Sequence, residues 1–264
     1  MIKLAIAGVC GRMGSAILKV ALSDPEFDVV GGFERQDHPM LGKGLDAVHP
    51  GAPASCRIEQ DPTAIISLAD VLIDFTEPAS TLGHFRIAAN RNKPVIIGTT
   101  GLPQPTLEEI SRTTNVKAVI SPNMSIGINL MFELVRRAAS ALTADYDIEI
   151  LELHHKWKKD APSGTAAKLR QIIEAARPGA YQVSGREGMV GERKPGEIGV
   201  LAMRGGDIVG EHTVFFAGTG ERIEITHRAA SRDNFARGAL LAAKWLMHQP
   251  AGIYDMRDVL NLTD

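Results

Sequence analysis

Apolar and polar positions change rhythm halfway along this chain. In the first half, apolar residues come in short continuous runs: Ile2–Ala7 (IKLAIA), Phe27–Phe33 (FDVVGGF), Asp70–Phe75 (DVLIDF), Pro94–Ile97 (PVII) and Val116–Ile120 (VKAVI). Such runs fit strands covered on both faces, as in a parallel sheet. Between the first two lies SAILKVALSD, with Ile17, Leu18, Ala21 and Leu22 at helical spacing and a stop at Ser23-Asp24-Pro25. A further helix is expected from about Ser80 to Asn90. From Asp145 onward the strands lengthen and alternate: Tyr146–Leu153 (YDIEILEL), Ile198–Arg204, Glu211–Ala217 and Arg222–Arg228, with turn signals at Gly205-Gly206-Asp207 and Gly218–Glu221. A helix from about Ser163 to Ala176 falls between the first two of these, and Gly185–Gly196 is a glycine- and charge-rich loop with a solvated face. Ser231–Leu246 is expected to be a capped amphipathic helix that returns to the first half.

The pattern predicts an α/β protein: an N-terminal Rossmann-type parallel-sheet domain over 1–125, completed by 231–264, plus a smaller α+β domain with a mixed sheet over 126–230. Hinges are expected near Asn123–Ile128 and His227–Ser231, where the chain passes between domains. The second sheet has only the helix near 163–176 as an obvious cover, so an apolar face is expected to meet a partner.

Composition narrows the function. The 264 residues carry 29 basic and 31 acidic side chains, a net charge of −2, which offers no global positive field to nucleic acid or a membrane surface. Cys10 and Cys56 are too few for a disulfide scaffold and point to a reducing compartment, with both thiols as spectators. The apolar start, MIKLAIAGVCGRMG, lacks the pattern of a signal peptide, and no window reaches the apolar length of a membrane span. The expectation is a soluble, cytoplasmic protein.

Two regions carry chemistry. The first strand runs into Gly8-Val9-Cys10-Gly11-Arg12-Met13-Gly14, a helix follows, and the second strand ends at Glu34-Arg35. That is the strand, glycine turn, helix, strand, acid order of a dinucleotide site. The spacing is G-x-x-G-x-x-G, with Cys10 where the usual fingerprint has glycine, so a plain turn is the competing explanation. Glu34 suits the ribose hydroxyls of NAD, whereas Arg12 and Arg35 suit the 2′-phosphate of NADP, and both options stay open. Loops at Thr76-Glu77-Pro78, Gly98-Thr99-Thr100-Gly101 and Ser121-Pro122-Asn123-Met124 follow the later strands, on the sheet edge where ligands bind. The second region is LELHHKWKKDAPSGTA at 151–166, where a strand ends in His154, His155, Lys156, Lys158 and Lys159 before a helix start at Pro162-Ser163-Gly164-Thr165. Free N–H groups at that start and the cations beside it suit a carboxylate or phosphate, and a lysine or histidine there can donate a proton. A solvated basic loop is the bland alternative.

The chain resembles the 4-hydroxy-tetrahydrodipicolinate reductase (dihydrodipicolinate reductase) family along nearly its whole length. The resemblance rests on GVCGRMG at 8–14, Glu34-Arg35, DFTEP at 74–78, GTTG at 98–101 and ELHHKWKKDAPSGTA at 152–166. It continues in RGGDIVGEHTVFFAG at 204–218, THRAASRDNFARGAL at 226–240 and YDMRDVL at 254–260. It implies a cyclic dicarboxylate substrate, reduced with NADH or NADPH and losing its hydroxyl as water. It implies His154 and Lys158 as the catalytic pair, with Lys158 favoured as proton donor, and His155, Ser163, Gly164 and Thr165 as substrate contacts. The cofactor would meet residues 8–13, Glu34, Arg35, Gly98, Thr99, Thr100, Ser121, Pro122, Asn123 and Met124. It implies a homotetramer and no catalytic metal, in keeping with the lack of metal-ligand spacing. Another two-domain nicotinamide oxidoreductase would lack the His-His-Lys segment, and a non-catalytic dinucleotide sensor would have no use for a cationic anion pocket.

Overall fold

The computed structural model describes residues 1–262, so Thr263 and Asp264 of the expected 231–264 segment lie outside the described residues. The chain runs β1 (Ile2–Ala7), α1 (Arg12–Leu22), β2 (Phe27–Phe33), a single 3-10 turn (Leu45–Ala47), β3 (Ile58–Glu59), α2 (Pro62–Leu68), β4 (Val71–Asp74), α3 (Pro78–Asn90), β5 (Val95–Ile97), α4 (Gln104–Arg112) and β6 (Lys117–Ile120). It continues through α5 (Ile126–Ala141), β7 (Asp147–His154), α6 (Gly164–Ala176), β8 (Tyr181–Val183), β9 (Glu197–Arg204), β10 (Gly210–Gly218) and β11 (Glu221–Ala229). It closes with α7 (Asp233–Met247), β12 (Gly252–Tyr254) and α8 (Met256–Val259). One compact unit comprises Met1–Ile126 and Arg232–Asp264, the other Gly127–Ser231.

The first unit holds a parallel sheet in the order β12-β6-β5-β4-β1-β2-β3. Its continuous apolar strands are explained by cover on both sides. Leu4, Ile6, Ile73, Ile96 and Val119 face a core with Ile17 and Leu18 of α1 and Ala239 and Leu240 of α7. Their neighbours Ala5, Ala7, Leu72, Val95, Ile97 and Ala118 face the opposite core with Ile65 and Ile66 of α2 and Phe85 of α3. The register sets Phe33, Ala7, Asp74, Ile97 and Ile120 abreast at the carboxyl edge. The residues that leave this edge are therefore Glu34, Gly8, Phe75, Gly98 and Ser121. The strand order reverses between β1 and β4, the switch point where such sheets bind ligands. Helix α7 differs from expectation at its start. Its N-cap is Arg232, which makes no side-chain capping bond, and Asp233 in the first turn complements the helix dipole instead.

The second unit holds a mixed sheet in the order β11-β10-β7-β9-β8. Strand β7 is its centre, antiparallel to β10 and parallel to β9. Two helices cover one face, not the single one expected. Ile128, Met131, Val135 and Ala139 of α5 join Ala166, Leu169 and Ile173 of α6 over Ile148, Ile150, Val200, Val214 and Phe216. Register puts Leu151, Leu153, Leu201, Met203 and Phe215 on the other face. There Leu201 and Met203 are 38% and 45% exposed. On β7 the inward row reads Ile148, Ile150, Glu152, His154, all buried, so the row turns from apolar to ionisable where the strand ends.

Candidate active site

In the first unit, the glycine turn is built for close approach. Gly8 has φ +61°. Its N–H donates to the Phe33 carbonyl at 2.9 Å, and its carbonyl accepts from the Gly11 N–H at 2.9 Å. A Cβ on Gly14 would lie 2.1 Å from that carbonyl oxygen, so only glycine lets α1 press against the turn. Helix α1 starts behind Gly11, which has no side chain to cap it, and its positive dipole end remains available to an anion. Beside it is a cavity of about 560 Å³, lined by Gly8, Gly11, Arg12, Met13, Gly14, Glu34 and Arg35 among others. Glu34 Oε1 accepts from the Cys10 N–H at 2.8 Å, which fixes the carboxylate at the turn. Backbone donors, a tight glycine turn and a carboxylate in one cavity fit a dinucleotide.

The other expected cofactor residues divide. Gly98 and Ser121 leave the same sheet edge, and a Cβ on Gly98 would collide with the Phe75 ring at 2.1 Å. Thr99 is buried, with Oγ1 2.7 Å from Thr81 Oγ1, while Thr100 is exposed. The Ser121 hydroxyl donates to the Asn123 carbonyl at 2.8 Å, closing the turn through Pro122. Val9 and Met124 are fully buried, and a Cβ on Gly32 would strike the Val9 side chain at 2.6 Å. Their side chains build the core, leaving only backbone to a ligand. Burial, and then the Glu34 charge, push the Cys10 thiol up to about 11, so it is no nucleophile near neutral pH. The cavity also gathers residues not singled out from sequence, including Gln36, Gln60, Ser80 and His84. His84 Nδ1 lies 2.7 Å from Oδ2 of the buried Asp74, whose Oδ1 accepts from the Thr76 N–H and hydroxyl at 2.8 and 2.6 Å. The signal for this group was Asp74 itself, a carboxylate ending an apolar strand.

In the second unit, β7 delivers His154 to the end of its buried row. His155 follows half-buried, its ring 5.7 Å from that of the exposed Trp157. The three lysines behave differently. Lys156 lies over the Trp157 ring at 5.1 Å and Lys159 is exposed. Lys158 is drawn in: its side chain is 20% exposed, its ammonium sits 2.9 Å from Asp160 Oδ1, and its charge reaches His212. Ser163 caps α6, its Oγ accepting from the Ala166 N–H at 3.2 Å. Gly164 and Thr165 form the first turn behind it. A Cβ on Gly164 would meet no protein atom within 4 Å, so the fold leaves open room at this helix start.

Three ionisable residues overlooked in the sequence complete the cluster. Glu152, fully buried, accepts from Arg204 Nη1 and Nη2 at 2.9 and 2.8 Å, from the Ser163 N–H at 3.0 Å, and from His154 Nδ1. Burial opposes its charge, but the bonds from His154, Arg204 and Ser163 prevail and hold it down at about 2. His212 is buried with its ring centroid 5.2 Å from that of His154 and Nε2 3.1 Å from Ser163 Oγ. Burial first, and then the charge of His154, lower it to about 3, so it is neutral near neutral pH. The cluster can therefore carry positive charge on Lys158 and on His154 beside an open helix start.

Residues 2–124 match the family model for dihydrodipicolinate reductase, N-terminus, and residues 127–260 that for its C-terminus. A 4-hydroxy-tetrahydrodipicolinate reductase of Syntrophobacter fumaroxidans is 45% identical over 266 residues, covering 99% of this chain and 100% of that protein. Its counterpart from Syntrophus aciditrophicus is 44% identical over 267 residues, with 98% of each chain covered. Among solved structures, the dipicolinate-bound dihydrodipicolinate reductase from Paenisporosarcina sp. TG-14 is similar with a TM-score of 0.79, at 27% identity and 97% coverage of both chains. A scyllo-inositol dehydrogenase from Lactobacillus casei with bound NAD(H) shares the fold alone, at a TM-score of 0.59 and 14% identity, over 98% of this chain and 93% of that one. One family thus accounts for both compact units and for the glycine turn and the His-His-Lys segment within them, and the chain belongs to the dihydrodipicolinate reductase family.

Proposed function

We propose that this protein reduces 4-hydroxy-tetrahydrodipicolinate to tetrahydrodipicolinate with loss of water, using NADH or NADPH, in lysine and diaminopimelate biosynthesis in the cytoplasm. Substrate, NAD(P)H and one proton give product, NAD(P)⁺ and water. The observation that carries this reading is the β7–α6 segment, where His154, Lys158 and an open helix start meet in one unit. A bound dihydronicotinamide supplies the hydride. The first turn of α6, at Gly164 and Thr165, binds one substrate carboxylate through backbone N–H groups, with His155 as a flanking contact. The Lys158 ammonium gives up the proton that balances the reaction, and His154 orients and polarises the reacting end of the substrate. Residues 8–13, Glu34 and Arg35 of the first unit, with the loops 98–100 and 121–124 on the same sheet edge, would hold the cofactor. NAD(P)H oxidation with the condensation product of pyruvate and aspartate semialdehyde tests the reading, and no oxidation above the substrate-free rate would refute it. No helix among the described residues is long and apolar enough to cross a membrane, and Cys10 and Cys56 are free thiols.

Both cofactors are proposed to work because Glu34 and Arg35 share one cavity. Glu34 accepts ribose hydroxyls, and Arg35 offsets its repulsion of a 2′-phosphate. Arg35→Ala is accordingly expected to raise KM for NADPH about tenfold and that for NADH less than twofold. Equal changes in steady-state KM would defeat the assignment.

We further propose a homotetramer assembled through the second unit. The sheet face bearing Leu151, Leu153, Leu201, Met203 and Phe215 has no helix of its own unit over it, and an apolar sheet face is self-complementary under two-fold symmetry. Light scattering should give four times the 28.4 kDa chain mass at working concentration. A fully active monomer would contradict this.

A further inference from the structure

The Glu152 carboxylate lies on the buried row of β7, two residues before His154 and on the same face. An ionised carboxylate is acceptor-only, and this one receives four donors. Oε1 accepts from Arg204 Nη2 and the Ser163 N–H, and Oε2 from Arg204 Nη1 and His154 Nδ1. His154 must therefore present Nδ1–H to Glu152, leaving Nε2 as the nitrogen that exchanges a proton or meets a ligand. On the Nε2 side is Gly210, whose Cβ, if it had one, would stand 3.0 Å from that nitrogen. Arg204 is fixed in turn, because Nη2 also donates to the Asp160 carbonyl at 2.7 Å. Asp160 carries the ion pair to Lys158, and Ser163 starts the helix at Gly164.

We propose that the Glu152–Arg204 pair is the positioning device of this active site. It selects the tautomer and orientation of His154 and ties that ring to the Lys158 loop and to the α6 carboxylate site. This deepens, and rests on, the reductase reading for the residues it positions. Neither Glu152 nor Arg204 needs to touch substrate. A buried carboxylate behind a histidine acts by holding one tautomer and by stabilising the imidazolium when it forms. Arg204 prevents that carboxylate from taking the proton itself, since its bidentate charge keeps Glu152 ionised. The ionisable groups of the cluster are Glu152 and His154 on β7, Arg204 on β9, His212 on β10 and Lys158 in the loop, with His227 on β11 acting on His212. His212 is neutral and bonds to Ser163, so it does not compete for the Glu152 oxygens.

The test combines kinetics with histidine NMR. In 15N-histidine-labelled wild type, neutral His154 should appear as the Nδ1–H tautomer, assigned by its loss in His154→Gln. Glu152→Gln should shift that tautomer, lower kcat by about 10- to 100-fold, and leave KM for NADH within twofold. The limb of the kcat pH profile set by the imidazolium should move to lower pH, because its counter-charge is gone. Glu152→Asp, which keeps the charge, should recover part of kcat and the wild-type limb. If Glu152→Gln fails to fold with an unmatched Arg204, Glu152→Gln with Arg204→Gln leaves no unpaired charge and should show the same kinetic loss. A wild-type Nε2–H tautomer overturns the proposal, as does a folded Glu152→Gln enzyme with unchanged kcat and pH profile. A wild type inactive on the dicarboxylate but showing the Nδ1–H tautomer and its shift would refute the reductase reading and leave the positioning intact.

Discussion

Lys158→Ala is expected to lower kcat by about 10²-fold or more, the range for losing a positioned proton donor, with NADH binding by fluorescence unchanged. The structure separates this lysine from its neighbours. Lys156 and Lys159 are solvent-facing, the former resting on Trp157, so Lys156→Ala and Lys159→Ala should keep kcat within about twofold. Lys158 alone is partly withdrawn from solvent, and its charge is felt at the buried His212. It is held by Asp160, a partner that a substrate carrying its own carboxylates can replace. Lys158→Arg is the sharper control. It keeps the charge but cannot release a proton near neutral pH, so it should restore KM for the dicarboxylate without restoring kcat. A Lys158→Ala enzyme with near-wild-type turnover would move the proton donor elsewhere, His154 being the remaining candidate.

Sequence pattern reached the elements whose cause is local. β1, the glycine turn, α1 and β2 are legible because a doubly covered strand, a φ-permissive turn and a helical spacing each leave a mark within a few residues. β7 and β10 are legible because alternation survives where one face is buried, and β11, none of whose residues is buried, by its place after the Gly218–Glu221 turn. The short strands that escaped depend on distant chain. β3, β8 and β12 have two or three residues each and exist through the strands beside them. Helix α5 does carry a local trace, Ile128, Met131, Val135 and Ala139 at helical spacing, and with it one face of the second sheet is better covered than the helix near 163–176 alone implies.

The site follows the same division. His154, Lys158 and Ser163 stand together in one segment and announce themselves. Arg204 and His212 arrive from β9 and β10 through sheet register, which a single sequence does not display. A parity signal was nonetheless present. Glu152 occupies the apolar phase of β7 after Ile148 and Ile150, and His212 the buried phase of β10 before Val214 and Phe216. A charged residue in the core phase of a strand is costly unless paired, so it asks where its partners are.

Two glycines offer opposite expected results from the same Gly→Ala change. At Gly14 the new Cβ would stand 2.1 Å from the Gly8 carbonyl oxygen and 2.7 Å from the Val9 Cα. Those are backbone atoms, and the carbonyl is the one that closes the turn to Gly11. Nothing there yields without displacing α1 from β1. Gly14→Ala is therefore expected to cost about 3 kcal/mol, a fall in Tm of roughly 6–12 °C, together with loss of measurable NADH binding. At Gly164 the added methyl meets no protein atom within 4 Å, and φ does not lie in the left-handed region. Alanine is also the better helix former. Gly164→Ala should keep or slightly raise Tm and keep NADH binding, while KM for the dicarboxylate rises about tenfold because the methyl occupies room in front of the α6 N–H groups. The pair separates a glycine required by the fold from one required by a ligand. Calorimetry and steady-state kinetics on both variants decide it: an unchanged KM in Gly164→Ala would remove the carboxylate from the start of α6, and an undiminished Tm in Gly14→Ala would mean the turn can give way where its backbone contacts say it cannot.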